Sequence, residues 1–284
     1  MDSAYILTLS CPDKVGIVYA VTGFLAANNC NIMSSHQYGD PESVLFFMRV
    51  KFRAEEGAPD LEGLLQRFAH VAERFAMRWQ IKPASEKTRA LILVSRQGHC
   101  LNDLLFRTHT GELALDIAGI ASNHNDFQEF AGWHELPYHY LPVRPESKAE
   151  QEQRLLNIIE REKVELVILA RYMQILSEAL CRDLSGRCIN IHHSFLPGFK
   201  GARPYHQAHA HGVKLIGATA HYVTANLDEG PIIEQDVQRV DHAHSPEDLA
   251  AIGRDVEAVV LARAVRYHTE HRVLINGRKT VVLR

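Results

Sequence analysis

Two short stretches in the second half of the chain carry side chains suited to acyl-transfer chemistry. Asn190 and His192 lie two residues apart at the end of an apolar run, so on a strand both point to the same face. Asp228 follows in a loop, after His221 near the end of another apolar run. An amide donates to a developing oxyanion, an imidazole moves a proton, and a carboxylate orients the imidazole. This pattern indicates acyl transfer, with Asn190, His192 and Asp228 as candidate catalytic residues.

Each of these residues also has an ordinary structural interpretation. Asn190 would satisfy a backbone group at the end of its strand, and Asp228 would be a turn residue before Gly230 and Pro231. His192 would be one of the 17 histidines of the chain. Spacing alone leaves both interpretations open.

The elements around these residues predict an open, doubly wound, mostly parallel sheet. Strands are predicted at 89–95, 114–122, 164–170, 187–191 and 215–224, with helices near residue 100, at 147–162 and at 246–271. Alternating apolar strands and helices favour a parallel sheet covered on both faces, with ligands beyond the carboxyl ends of its strands. The last helix is expected to bury one stripe, which comprises Leu249, Ile252, Val256, Val259 and Val260. A hairpin at Asn276-Gly277 follows.

The N-terminal part predicts a smaller, ferredoxin-like unit. Strands at 4–10, 31–38, 43–52 and 79–82, with one helix after Asp13 and another after Asp60, give the order βαββαβ. Residues 84–88 are polar and interrupt the periodicity, so they are the predicted linker. The predicted domains are therefore residues 1–83 and 89–284.

Composition narrows the partners and the compartment. The net charge of -3 and pI of about 6.6 argue against binding to nucleic acid. We expect neither a signal peptide nor a membrane span, and the five scattered cysteines predict reduced thiols in a cytoplasmic protein. Histidine pairs suggest zinc, but HExxH is absent and no third ligand follows at a familiar spacing. We therefore predict no metal site.

Residues 8–32 resemble the opening of an ACT domain, a small regulatory module that binds amino acids. Asp13 and Gly16 match its D-x-x-G turn. The resemblance implies an amino-acid effector held by Asp13, Gly16 and Asn31, and a homodimer or homotetramer. Glycine lets a small ligand approach backbone amides at a helix N-terminus, although Gly16 would equally permit close helix packing in a domain that only pairs subunits.

Residues 89–240 resemble the catalytic domain of 10-formyltetrahydrofolate-dependent formyltransferases. NIHHSFLP at 190–197 matches the signature N-I-H-x-S-x-L-P, and residues 221–235 match H-x-V-x-x-x-x-D-x-G-x-I-I-x-Q. The resemblance gives catalytic roles to Asn190, His192 and Asp228. It also implies substrate contacts, which we expect from Arg171, Met173, Gln174, Ile175, Leu176, His221, Gly98 and His99. Gln174 replaces a basic residue common in glycinamide ribonucleotide transformylases.

The loop after the first strand of this domain departs from those transformylases. They carry a G-S-N loop that cradles a ribonucleotide phosphate, whereas here Gly98 is followed by His99 and Cys100, whose bulk should obstruct a phosphate. With an ACT-like domain in front, the whole chain resembles the formyltetrahydrofolate deformylases. The resemblance implies hydrolysis of 10-formyltetrahydrofolate to formate and tetrahydrofolate, with no tightly bound cofactor, supplying formate for purine biosynthesis and balancing the one-carbon pool.

Two other functions remain open from the sequence. One is formyl transfer to an amine acceptor, such as glycinamide ribonucleotide or initiator methionyl-tRNA. The altered loop disfavours the ribonucleotide, and the slightly acidic charge balance disfavours the tRNA. The other is a catalytically silent folate or amino-acid sensor, against which Asn190, His192 and Asp228 argue.

Overall fold

The computed structural model describes residues 4–196 and 204–284, which divide into two compact units. The first unit holds residues 1–86 and 270–284, and the second holds residues 87–269. The first unit contains β1 (Ala4–Pro12), α1 (Ile17–Ala27), β2 (Cys30–Asp40), β3 (Leu45–Ala54), α2 (Leu61–Arg74) and β4 (Arg78–Pro83). Its antiparallel sheet has the order β2-β3-β1-β4, which confirms the predicted ferredoxin-like arrangement.

A different residue marks the start of each helix in this unit: a capping side chain for α2 and a glycine for α1. The side chain of Asp60 accepts a hydrogen bond from the backbone N–H of Gly63 at 2.9 Å and caps α2. The other helix, α1, is preceded by Gly16 with φ of 95°, a left-handed conformation that favours glycine. One apolar core lies between the helices and the sheet, with edge-on ring contacts from Phe68 to Phe24 and Trp79.

The second unit is an α/β layer structure around seven strands. It contains β5 (Thr88–Val94), α3 (His99–His109), β6 (Leu115–Ser122), α4 (Gln128–Trp133), β7 (Tyr138–Tyr140), α5 (Lys148–Arg161), β8 (Leu166–Leu169), α6 (Glu178–Asp183), β9 (Cys188–His192), α7 (Pro204–Ala210), β10 (Leu215–Tyr222), β11 (Ile232–Arg239) and α8 (Pro246–Thr269). The sheet order is β11-β10-β9-β8-β5-β6-β7. Strands β9, β8, β5, β6 and β7 are parallel, and β10 is antiparallel to both neighbours. The predicted mostly parallel sheet is confirmed.

The last fifteen residues do not belong to the second unit, which is a difference from the predicted range of 89–284. A hairpin, β12 (Val273–Asn276) and β13 (Lys279–Val282), is joined to the first unit by side-chain contacts. The amide of Asn276 donates to Asp40 at 2.7 Å, and Nε of Arg49 donates to the carbonyl of Glu270 at 2.9 Å. Sequence patterns identified the hairpin but not the side chains that hold it.

Helix α8 also differs from its predicted apolar stripe. Leu249 and Val260 are buried as expected, whereas Ile252, Val256 and Val259 are half-buried. The fully buried face includes Gly253 and Glu257, two residues that an apolar pattern omits. The helix is therefore rotated so that one carboxylate faces the interior. None of the described helices is long and apolar enough to cross a membrane.

Candidate active site

A cavity of about 260 Å³ lies beyond the ends of β8 and β9 and brings together most of the predicted site residues. It is lined by Leu169, Arg171, Tyr172, Met173, Gln174, Ile175, Leu176, Cys181, Asn190, Ile191, His192, His193, His221, Val223, Thr224, Ala225, Leu227 and Asp228. Met173, Ile175 and Leu227 are more than half exposed. An apolar wall beside a few polar groups is typical of a pocket for a flat organic ligand.

The polar floor of the cavity is a network of Asn190, His192, His221 and Asp228, here called the acyl site. Nδ1 of His192 lies 3.2 Å from Oδ2 of Asp228, and Nε2 of His221 lies 3.7 Å from the other carboxylate oxygen. The Asn190 amide nitrogen is 3.3 Å from the same Nε2 of His221. Strand register explains the last contact, because Asn190 on β9 is directly opposite His221 on β10.

The backbone conformation of the loop at Asp228 places its carboxylate beside His192 and His221. Asp228 has φ of 56°, in the left-handed region that aspartate tolerates better than most residues. Two residues later, a Cβ on Gly230 would lie 1.7 Å from the carbonyl oxygen of Tyr222. Glycine is therefore required there, since any side chain would push the loop away from β10. This close contact lies in the turn that the sequence predicts at Gly230 and Pro231.

The charge state of Asp228 follows from its neighbours. Burial raises the pKa of its carboxyl, but the hydrogen bond from His192 and the nearby His221 ring outweigh burial, and the pKa falls well below its usual range. Asp228 is therefore an anion at neutral pH and accepts from Nδ1–H of His192. Nε2 of His192, on a side chain 7% exposed, is left with no hydrogen-bond partner among the described residues.

A second buried carboxylate, Glu257 of α8, lies in a group that the sequence did not predict. Its oxygens lie 2.8 Å from Nε2 of His99, 2.7 Å from the hydroxyl of Tyr205 and 3.3 Å from Nε of Arg171. These four residues are here called the Glu257 cluster. Burial raises the pKa of Glu257, but the hydrogen bond from His99 and the charge of Arg171 lower it by more. The net pKa is below its usual value, so the carboxylate stays ionised. Its side chain is 1% exposed.

A glycine makes room for the aromatic member of the Glu257 cluster. A Cβ on Gly253, one turn before Glu257, would lie 2.0 Å from the Tyr205 hydroxyl, so glycine makes room for the ring. Sγ of Cys100 lies within 4.8 Å of the His99 and Glu257 ligand atoms. Burial, with the charge of Glu257, raises the pKa of this thiol far above its usual range. A thiolate ligand or nucleophile at Cys100 is therefore disfavoured.

The structure separates the predicted substrate contacts into two groups. The segment from Arg171 to Leu176 and His221 line the cavity, whereas Gly98 and His99 do not. Gly98 precedes α3, and a Cβ there would lie 2.4 Å from the ring of Phe127. His99 is directed at Glu257 instead. Pro197, the last residue of the first signature, lies outside the described residues.

The three predicted effector residues do not lie close together in a single copy of the first unit. Asp13 and Gly16 lie at the turn between β1 and α1, near the Gly39 end of β2. Asn31 is exposed at the opposite end of β2, roughly 25 Å along the strand by its rise per residue. A single copy therefore does not form the predicted effector site from all three residues.

Comparison with known proteins agrees with this architecture. Residues 88–265 match the formyl transferase family, and residues 5–71 match the ACT domain family. The chain is 50% identical over 281 residues to formyltetrahydrofolate deformylase of Corynebacterium sp. (strain P-1), covering 99% of this chain and 98% of the relative. It is 47% identical over 277 residues to that of Bacillus subtilis (strain 168), covering 97% and 92%.

Solved structures give the same result. The formyltetrahydrofolate deformylase of Burkholderia mallei superposes with a TM-score of 0.96 at 52% identity, covering 99% of this chain and 100% of that one. A glycinamide ribonucleotide transformylase of Symbiobacterium toebii reaches 0.65 at 30% identity, covering 70% of this chain and 95% of that one. The match to the transformylase covers 70% of this chain, whereas the matches to the deformylases are nearly full-length. The chain therefore belongs to the formyltetrahydrofolate deformylase family, with an ACT domain and a formyl transferase domain.

Proposed function

We propose that this chain hydrolyses 10-formyltetrahydrofolate to formate and tetrahydrofolate. The observation that carries the proposal is the convergence of Asn190, His192 and Asp228 on one cavity with an apolar wall. Met173, Ile175 and Leu227 are exposed there and would be covered by a flat pterin ring. The segment from Arg171 to Leu176 would line the pterin on one side.

In this mechanism the Asp228 carboxylate accepts from Nδ1–H of His192, which leaves a lone pair on Nε2. Nε2 removes a proton from water as the water oxygen bonds to the formyl carbon. The amide N–H of Asn190 donates to the resulting oxyanion, and the imidazolium of His192 adds electrostatic stabilisation. Collapse breaks the bond to N10, which takes the proton from His192. The products are tetrahydrofolate and formic acid, which releases a proton to become formate.

His221 has a positioning role in this proposal. Its Nδ1 lies 2.9 Å from the carbonyl of Tyr222, so Nδ1 carries the proton and donates it. Nε2 then carries a lone pair, which accepts a hydrogen bond from the Asn190 amide. His221 thereby fixes the rotamer of the oxyanion donor. The folate is a substrate, and this mechanism requires no tightly bound cofactor.

The deciding experiment is to measure formate and tetrahydrofolate release from 10-formyltetrahydrofolate, with and without glycinamide ribonucleotide. Steady release without an acceptor supports hydrolysis. Turnover that appears only with the ribonucleotide would instead establish the alternative, formyl transfer to an amine. The Glu257 cluster supports hydrolysis, because His99 is held in a fixed rotamer at the start of α3, where a phosphate would otherwise meet the helix N-terminus.

The first unit is proposed to bind an amino-acid effector between two copies of the chain. Among the described residues, β2 pairs on one side only, with β3, so its other edge is available to a second β2. Antiparallel pairing of two β2 strands would bring Asn31 of one copy toward Asp13 and Gly16 of the other. This arrangement forms a homodimer, and the predicted alternative, a homotetramer, would need a second interface. Turnover assays with each common amino acid test it, and no change with any of them would contradict it.

In the cell we propose a cytoplasmic role in one-carbon metabolism. Formate release would supply purine biosynthesis and return tetrahydrofolate to the folate pool. The five cysteines are free and buried, which is compatible with a reducing compartment. Growth of a deletion strain without purines, with and without added formate, tests this role.

A further inference from the structure

His193, next to the proposed base, has one ring nitrogen engaged and the other without a partner. Its Nδ1 lies 2.7 Å from Nη1 of Arg171. A guanidinium nitrogen only donates, so Nδ1 of His193 accepts and the ring proton is on Nε2. Burial, and then the charge of Arg171, lowers the pKa of His193 to about 4, which keeps the ring neutral at pH 7. Nε2–H is therefore an obligatory donor.

This donor is buried and has no acceptor among the described residues. Leaving such a group unsatisfied costs about 1–3 kcal/mol, so an acceptor that enters the cavity and pairs with it binds favourably. His193 lines the same cavity as His192, and the two rings stack with centroids 4.8 Å apart and planes 23° apart. The two rings therefore lie side by side at the same cavity.

The two unpartnered nitrogens have opposite hydrogen-bonding character. Nε2 of His193 carries a proton and donates. Nε2 of His192 carries a lone pair and accepts, because Nδ1–H of that ring faces Asp228. A water molecule matches this pair, since its oxygen accepts one hydrogen bond while one of its own protons is donated to the other ring. An amine is a stronger nucleophile than water and depends less on a base and a donor to activate and orient it.

We propose that His193 is a further catalytic residue, which holds and orients the attacking water for His192. The proposal rests on the proposed hydrolysis. In the reacting step the His193 Nε2–H bond stays intact and donates to the water oxygen. That oxygen bonds to the formyl carbon, and its proton passes to Nε2 of His192. Arg171, in turn held by Glu257, positions the His193 ring.

The test is competition between two nucleophiles in the full-length His193→Phe variant. Phenylalanine keeps a flat ring for stacking on His192 and removes the donor. Formate from water and formohydroxamate from added hydroxylamine are measured together, with the uncatalysed reaction subtracted. We expect kcat for hydrolysis to fall about 10²-fold, the typical loss for one donor to a reacting oxygen. Transfer to hydroxylamine should fall less, so that the ratio of the two products shifts at least about 10-fold.

Equal losses for both nucleophiles, or unchanged hydrolysis, would overturn the proposal. His193→Gln retains an N–H donor and should recover part of the hydrolysis, which keeps the test decisive even if the phenylalanine variant does not fold. His139→Phe is the matched control, since Nε2 of His139 is also buried without a partner but lies on β7 and does not line the cavity. Absence of hydrolysis in the unmodified enzyme would refute the proposed function itself, independently of the product ratio.

Discussion

The acyl site and the Glu257 cluster are two buried polar groups in one unit, each built around an ionised carboxylate. In the Glu257 cluster both carboxylate oxygens are engaged by His99, Tyr205 and Arg171 at 2.7–3.3 Å. In the acyl site, by contrast, Nε2 of His192 faces no partner among the described residues. A fully satisfied network fixes structure, whereas an unsatisfied one retains the capacity to bind a reacting group. Disrupting the acyl site should therefore lower turnover most, and disrupting the Glu257 cluster should lower stability most.

The largest effect is expected from Asp228→Asn. The amide removes the anion that holds the proton on Nδ1 of His192, so Nε2 no longer has the correct tautomer to act as a base. We expect kcat for formate release to fall about 10⁴-fold, as when the carboxylate of a catalytic triad is replaced by its amide. Asp236→Asn is the control, because Asp236 pairs with Arg263 on the surface of β11. Retention of a tenth of normal activity in Asp228→Asn would remove the carboxylate from the mechanism.

For the Glu257 cluster, stability is the quantity that should change most. Glu257→Gln leaves the charge of Arg171 buried without its anion, and we expect the free energy of unfolding to fall by about 3–5 kcal/mol. Urea denaturation measures it. Glu178→Gln, which breaks an exposed pair with Arg182, should change it by less than about 1 kcal/mol. A Glu257→Gln protein as stable as the parent would mean that the cluster is not structural.

Asn190→Ala tests the oxyanion donor. Loss of one such donor lowers kcat about 10²–10³-fold. The substitution should leave KM nearly unchanged, since Asn190 donates to charge that develops only in the transition state. Steady-state kinetics with 10-formyltetrahydrofolate distinguish this from loss of binding. An increase in KM with unchanged kcat would instead make Asn190 a binding residue.

The smallest effect concerns the pH dependence of stability. The folded-state pKa of His193, about 4, lies below the ordinary value of 6.5. Between these values the unfolded chain binds a proton that the folded protein does not, so stability falls as the pH drops below 6.5. The contribution is about 2 kcal/mol by pH 5. His193→Phe lacks it, so the stability loss between pH 7 and pH 5 should be smaller in the variant, by urea denaturation at each pH. Parallel curves would contradict a depressed pKa.

Most of the fold and the acyl site were predictable because their signals are local. Asn190 and His192 are two residues apart on one strand, and the sequence therefore placed them on one face. The antiparallel strand β11 was not predicted, since its outer positions are polar and mimic a loop. The short helices α4 and α6, of six residues each, give too little periodicity to detect.

The Glu257 cluster was not predictable, because its members come from α3, the loop after β8, α7 and α8 and meet only in the folded unit. A partial signal did exist. Gly253 and Glu257 are four residues apart on one face of a helix, and a glycine one turn before a charged residue is compatible with a bulky group packed against both. The predicted apolar stripe failed at Ile252 and Val256 because the buried face follows this pair instead.

The hairpin of β12 and β13 has a consequence for the order in which the chain is completed during synthesis. The first unit consists of two segments separated by the whole second unit, and its last contacts come from Asn276, Lys279 and Glu270. These residues follow the second unit in the sequence, so a ribosome releases them after it. The second unit therefore has all of its residues available before the first unit can acquire its final side-chain contacts, although the first unit begins the chain.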